Sequence, residues 1–226
     1  MNENDLLNHL FDKHITCPVC DSKFTTKSVK VKSPRIISKD SDFFIRYSVI
    51  NPYFYDVWIC NSCGYAAMKS DFEKIKSHKK AMVLSNVTTK WKPRDYPDIL
   101  DEKLAIERYK LALLNAILID LPHSTKAMIS LKIAWIYRIL DNSAQELLFL
   151  KQALDGFNQA YIFENFPIYG LQRDSLMYLL GDLSRRVGNS QEALLWYSKT
   201  IVGLNTSYKV KEMARAGKDL IKDTNI

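Results

Sequence analysis

Cys60-Asn61-Ser62-Cys63-Gly64-Tyr65 decides how this chain is read, because it repeats the spacing of Cys17-Pro18-Val19-Cys20. A two-residue gap lets one tight turn aim both sulfurs at a single point, so each pair supplies half of a tetrahedral thiolate shell. Gly64 suits the open backbone of such a turn. No cysteine is left over. Ligand softness makes structural zinc the expected cofactor, one ion held by Cys17, Cys20, Cys60 and Cys63. Three alternatives share these residues. A four-cysteine iron cluster uses the same ligands, two disulfides suit an exported chain, and a redox pair normally lies beside a βαβ pattern, which is missing here. A closed four-thiolate shell leaves no open position for water and consumes every thiol nucleophile, so the site is expected to hold structure and not to catalyse.

The pairs are 39 residues apart (21–59), about twice the familiar spacing. Doubling a loop costs only about 0.6 kcal/mol, against roughly 10–16 kcal/mol for zinc at a structural site. An inserted hairpin is therefore expected. Val29 and Val31 alternate with Lys30 and Lys32. Further on, Phe44, Arg46, Ser48 and Ile50 alternate with Ile45, Tyr47 and Val49, which is a strand period. Asn51-Pro52 reads as a turn, and Tyr55 to Ile59 as a strand leading into Cys60.

Outside the pairs the period is helical. Leu6, Leu7, Leu10 and Phe11 predict a short amphipathic helix over 3–13. Ser70-Asp71-Phe72-Glu73 has the form of a capping box opening a helix to about Leu84. Residues 85–97 lack periodicity and carry Pro93 and Pro97. The expected division is a zinc-ribbon domain over 1–84, a linker over 85–97 and a helical domain over 98–226. Helices are predicted near 99–120, 124–140, 143–164, 171–187, 190–203 and 207–224. A shift of 47 places sets Ala134–Leu154 on Gly181–Ile201, matching Asn142-Ser143 with Asn189-Ser190 and Leu147-Leu148 with Leu194-Leu195. Such units are too short to bury their own cores, and stacking completes them. The second copy resembles a tetratricopeptide repeat in Leu180-Gly181, Gly188-Asn189, Ala193 and Tyr197. It departs in its period of 47 instead of 34, in Ser184 and in Asn205. The expected fold class is α+β, mostly α: a small β zinc ribbon followed by tetratricopeptide-like antiparallel helical repeats.

With both halves read, the whole chain resembles the bacterial domain-of-unknown-function family 2225. The resemblance rests on Cys17-Pro18-Val19-Cys20 with Phe24-Thr25, Lys39-Asp40-Ser41-Asp42-Phe43, Asn51-Pro52 to Val57, Cys60 to Ala66, Trp91, Arg94-Asp95, Tyr109 to Leu113 and Leu131 to Arg138. It implies a zinc ribbon joined to tetratricopeptide-like helices in a cytosolic protein. It implies no reaction.

Composition bounds the function further. With 226 residues, 47% of them apolar, the chain is an ordinary packed protein. The near-apolar run Leu111–Leu121 is interrupted by Asn115 and Asp120 and is far short of the roughly 18 residues a membrane span needs. The acidic start, Glu3, Asp5 and Asp12, is unlike a secretory signal, so a cytoplasmic location is expected. Of the net charge of +7, residues 1–97 carry most, with 16 Lys+Arg against 10 Asp+Glu; residues 98–226 hold 16 against 15. A zinc bound by four thiolates subtracts two from the first half.

Lys27, Lys30, Lys32 and Arg35, with aromatic residues nearby, suit contacts to a nucleic-acid backbone. Alternating Val and Lys is more simply the pattern of an ordinary exposed edge strand, the Lys blocking aggregation. Asp40, Asp42 and Asp56 suit a hard cation or turn caps. The four histidines show no ligand spacing, and no phosphate loop, serine elbow or metalloprotease helix is present. In tetratricopeptide units the first helix lines a groove, which places Trp135, Arg138, Tyr178, Asp182, Arg185 and Arg186 toward it. Aromatics plus Arg make a clamp for an acidic peptide or a carboxylate. The function expected is a non-enzymatic adaptor with a helical groove for a protein partner; the alternative is a nucleic-acid-associated zinc-ribbon protein.

Overall fold

A computed structural model describes residues 3–224 of the chain. The order is α1 (Glu3–Leu7), β1 (Leu10–Thr16), β2 (Lys23–Val29), β3 (Arg35–Lys39), β4 (Ile45–Ser48), β5 (Val57–Ile59), β6 (Ala66–Met68), α2 (Ser77–Asn86), α3 (Glu102–Leu118), α4 (His123–Ile139), α5 (Ser143–Phe163), α6 (Arg173–Arg186), α7 (Ser190–Val202) and α8 (Tyr208–Thr224). The six strands form three antiparallel hairpins, β1–β2, β3–β4 and β5–β6. The inserted hairpin expected between the cysteine pairs is β3–β4, whose register shifts between Ile36 and Ser38.

Two compact units result. The first comprises the chain up to Lys39, Ile45–Leu121 and Ile136–Asp141; the second comprises Asp40–Phe44, Pro122–Trp135 and the chain from Asn142 onward. The division expected at 85–97 falls instead after Leu121. Residues 85–97 lack regular periodicity, yet they pack within the first unit: Thr88 Oγ1 donates to Cys63 O at 2.8 Å, and Trp91 Nε1 to Asn61 O at 2.8 Å. Helix α3 joins them there, packing on β5 and β6.

In the first unit, Phe72 is fully buried among Trp58, Tyr65 and Phe24, ring against ring. That burial explains why the capping box fails. Tyr65 Oη donates to the Phe72 carbonyl, so residues 72–74 make only a 3-10 turn and the helix starts later, at Ser77. The helix expected over 3–13 ends at Leu7 because Leu10–Thr16 is claimed by strand pairing, Leu10 opposite Val29 and Thr16 opposite Lys23. Tertiary pairing overrides an amphipathic pattern this short.

The long helices fall within three residues of their predicted bounds. In the second unit, Tyr178, Ala193, Tyr197, Val210, Ala214 and Ile221 bury α6, α7 and α8 against one another. At Gly181 a β-carbon would lie 2.7 Å from the Tyr197 ring, so the small residue permits this close approach. The 47-residue period reappears in the turns. Asp141 (φ 52°) and Gly188 (φ 87°) hold the same left-handed position. The next residues, Asn142 and Asn189, cap α5 and α7 with nearly equal angles, φ −94° ψ 78° and φ −92° ψ 75°, each side chain accepting from the N–H three residues on.

Candidate metal centre

Each Cys-x-x-Cys pair is the tip of a hairpin: the first joins β1 to β2 and the second joins β5 to β6. The two tips are built alike. Cys17 N–H donates to Ser22 O at 2.9 Å and Cys60 N–H to Tyr65 O at 2.8 Å; Asp21 N–H returns to Cys17 O, and Gly64 N–H to Cys60 O. The residue after each second cysteine is left-handed, Asp21 at φ 57° and Gly64 at φ 77°. At Gly64 space adds a second constraint, since a β-carbon would come within 2.6 Å of the Trp91 indole.

All four sulfurs lie within 4.8 Å of one another. Cys17 and Cys63 are 3.7 Å apart, Cys20 and Cys60 3.6 Å. A disulfide needs about 2.05 Å, whereas a tetrahedron with metal–sulfur bonds of about 2.3 Å has edges of about 3.8 Å. The thiols are free and the spacing suits one four-coordinate ion. Three of the four are buried, Cys20 partly. Hydrogen bonding from Cys17 pulls the Cys60 thiol down, while hydrogen bonding with Cys17 pushes Cys63 up. A divalent cation is what stabilises several buried thiolates together.

The surroundings hold the tips in place. Ser22 Oγ lies 3.1 Å from Cys20 Sγ and 3.2 Å from Cys60 Sγ, bridging the two hairpins. Asn115 Nδ2 on α3 donates to Gly64 O. Neither residue announces itself as a second layer of a metal site in sequence. The one available signal was that Ser22 follows its cysteine pair by the same interval as Tyr65.

The other candidate residues divide. Among the described residues the four cysteines are the one group of three or more metal-binding side chains. Asp40, Asp42 and Asp56 do not form a carboxylate cluster. Asp42, fully buried, accepts from Trp135 Nε1 at 3.0 Å and lies 3.7 Å from Arg186 Nε, whereas Asp56 belongs to the first unit and pairs with Lys69. Lys27 is held by Asp12 and Asp98, and Lys30 Nζ by Asn8 O. Lys32 and Arg35 are exposed.

Of the six groove residues, Trp135, Tyr178, Asp182, Arg185 and Arg186 gather in the second unit, while Arg138 belongs to the first. The gathered side chains are occupied by the chain's own segment Asp40–Phe44. Ser41 Oγ donates to Asp182 at 2.9 Å and accepts from Arg186 Nη2 at 2.9 Å; Tyr178 Oη donates to Ser41 O at 2.9 Å. Phe44 stacks on Trp135 and Phe43 leans on Tyr178. Asp182, 1% exposed, accepts from Arg185, Arg186, Tyr197 and Ser41. Burial alone would raise its pKa, but the two guanidiniums outweigh burial and hold it below the usual carboxylate range.

Two Cys-x-x-Cys hairpins converge on one point where four thiols could hold one metal ion, an arrangement consistent with a ribbon, and a helical C-terminal unit follows. The chain belongs to the family described as "Uncharacterized protein conserved in bacteria (DUF2225)", whose model matches residues 10–221. An uncharacterized protein of Borreliella burgdorferi is 27% identical over 85 residues, a match spanning 34% of this chain and 30% of that protein. No solved structure matches. Among the described residues no helix is long and apolar enough to cross a membrane.

Proposed function

We propose that this is a non-enzymatic interaction protein in which zinc fixes the ribbon and tetratricopeptide-like helix pairs present a peptide-recognition groove. The observation that carries this reading is the occupant of the groove. An acidic, aromatic segment, Asp40–Phe44, is held by Asp182, Arg185 and Arg186 through Ser41, by Trp135 and Arg186 through Asp42, and by two aromatic contacts. A partner carrying a similar strip would meet the same donors and ring faces. The matching turns at Asp141 and Gly188 support the repeat reading, soft thiolate ligands support zinc, and free thiols suit a reducing cytoplasm.

The resident segment sets the terms of binding. A short tether gives an effective concentration on the order of millimolar, so a partner in trans must outcompete it. A fluorescent peptide of residues 38–46 tests this against the natural chain and against an Asp42→Ala/Phe43→Ala chain, whose own segment is weakened. At least tenfold tighter binding to the double variant, lost on adding Arg186→Ala, is expected. Absence of binding to either chain would overturn the groove reading. The nucleic-acid alternative retains Lys32 and Arg35, which are exposed; retention on heparin that falls steeply with salt would favour it.

A further inference from the structure

The first unit encloses a cavity of about 370 Å³, inside the range of roughly 300–1,000 Å³ typical of small-molecule sites. Three cations line it: Lys27, Arg94 and Arg108. Lys27 is neutralised by Asp12 and Asp98 at 2.8 and 3.2 Å, and Arg94 by Glu107. Arg108 is the most deeply placed, 6% exposed, and the carboxylate of the adjacent Glu107 is paired with Arg94. Its guanidinium donates to Val57 O at 2.6 Å and sits 4.8 Å from the centre of the Tyr96 ring, while its buried Nε has no acceptor. A guanidinium keeps its charge in a protein, and burying a charge without a counter-ion is among the costliest arrangements a fold can hold. Its position on α3 makes the point in sequence terms. Arg108 interrupts the buried stripe Ala105, Tyr109, Ala112 and Ala116.

A second donor stands in the same wall. Tyr55 is 4% exposed, and its oxygen accepts from Leu100 N–H at 3.1 Å, which leaves the phenolic proton to donate. Phe24 and Tyr96 add flat apolar surface. Asp12, Asp95 and Asp98 also line the cavity and match its three cations in number, so an anion is favoured only locally, at Arg108, and a second negative charge meets repulsion. We propose that this cavity binds a small aromatic monoanion, its carboxylate on Arg108 and Tyr55 and its ring beside Phe24 and Tyr96.

Benzoate is the first probe, titrated into the intact zinc-loaded chain and followed by nitrogen-15 NMR at the Arg108 Nε–H signal, assigned by its loss in Arg108→Lys. Saturable movement of that signal with a dissociation constant of about 10 mM or below is expected, given what so few atoms can contribute. Neutral benzamide should leave the signal in place. Tyr55→Phe, which keeps the ring and removes the donor, should weaken benzoate about tenfold, the equilibrium ratio of one charged hydrogen bond. An unmoved Arg108 signal, an equal response to benzamide, or no effect of Tyr55→Phe would each overturn the proposal. Inorganic phosphate binding more tightly than benzoate would overturn the aromatic carboxylate assignment.

Discussion

The two units each reuse one turn, and they stabilise it by different means. In the first, the tips at Cys17–Asp21 and Cys60–Gly64 share backbone hydrogen bonds and a left-handed last residue. An isolated two-stranded hairpin is at best marginally stable, and β5 and β6 have only three residues each. In the second, helices of 21 and 13 residues, capped by Asn142 and Asn189, bury apolar faces. A short hairpin needs an external cross-link, whereas a long amphipathic helix finds its stability in neighbours. The first unit should therefore depend on the ion and the second on packing plus one buried charge cluster.

Breaking the metal tips should give the largest effect. Cys60→Ser, or chelation, removes a site that contributes on the order of 10 kcal/mol or more. Metal content should fall and hydrogen exchange over residues 14–66 should become fast, while most of the helical circular dichroism persists. Simultaneous collapse of both signals would erase the contrast between the units.

The buried carboxylate comes next. Asp182→Asn leaves two guanidiniums facing a neutral amide and should cost about 3 kcal/mol at pH 7, read by urea denaturation. Its pH dependence has a definite sign. Asp182 has a folded pKa below its unfolded one, so its contribution is full above the unfolded value of about 3.9. That contribution disappears as pH falls through the folded value. The gap between the natural chain and Asp182→Asn should thus narrow when measured at pH 3 instead of pH 7.

Smaller effects separate equivalent positions. Gly64→Ala meets both a left-handed backbone and the Trp91 ring, for a loss of about 2–3 kcal/mol. Its counterpart Asp21→Gly relieves strain and should change stability by less than about 1 kcal/mol. In the helical turns nothing lies within 4 Å of a β-carbon at Gly188. Gly188→Ala should therefore cost only the backbone term, about 1 kcal/mol. Thermal melts of the three variants would rank Gly64→Ala last in stability; equal losses at Gly64 and Gly188 would remove the role assigned to Trp91.

What the sequence discloses follows the range of the forces involved. The cysteine tips were legible because a two-residue gap is a local geometric statement. The long helices were legible because periodicity accumulates over several turns. Residues 10–13 were misread as helix because the strand that contains them, 10–16, exists only through pairing with 23–29. The boundary was misplaced because Pro93 and Pro97 mark irregular backbone, which here is packed by Trp91 and Arg94 against Asn61. The cluster of Trp135, Tyr178, Arg185 and Arg186 was visible as a pattern of aromatics and arginines, but the segment packed on it was not, since Ser41 and Asp182 are 141 residues apart. The acidic strip was noticed for its carboxylates, and its meaning lay in what they face.

The central claim is that four cysteines from two hairpin tips hold one ion that organises the first unit. X-ray absorption at the zinc edge, on protein purified without added metal, tests it most directly. The account predicts one zinc per chain with four sulfur neighbours at about 2.3 Å. Nitrogen or oxygen neighbours in place of any sulfur, or protein that folds fully without metal, would contradict it.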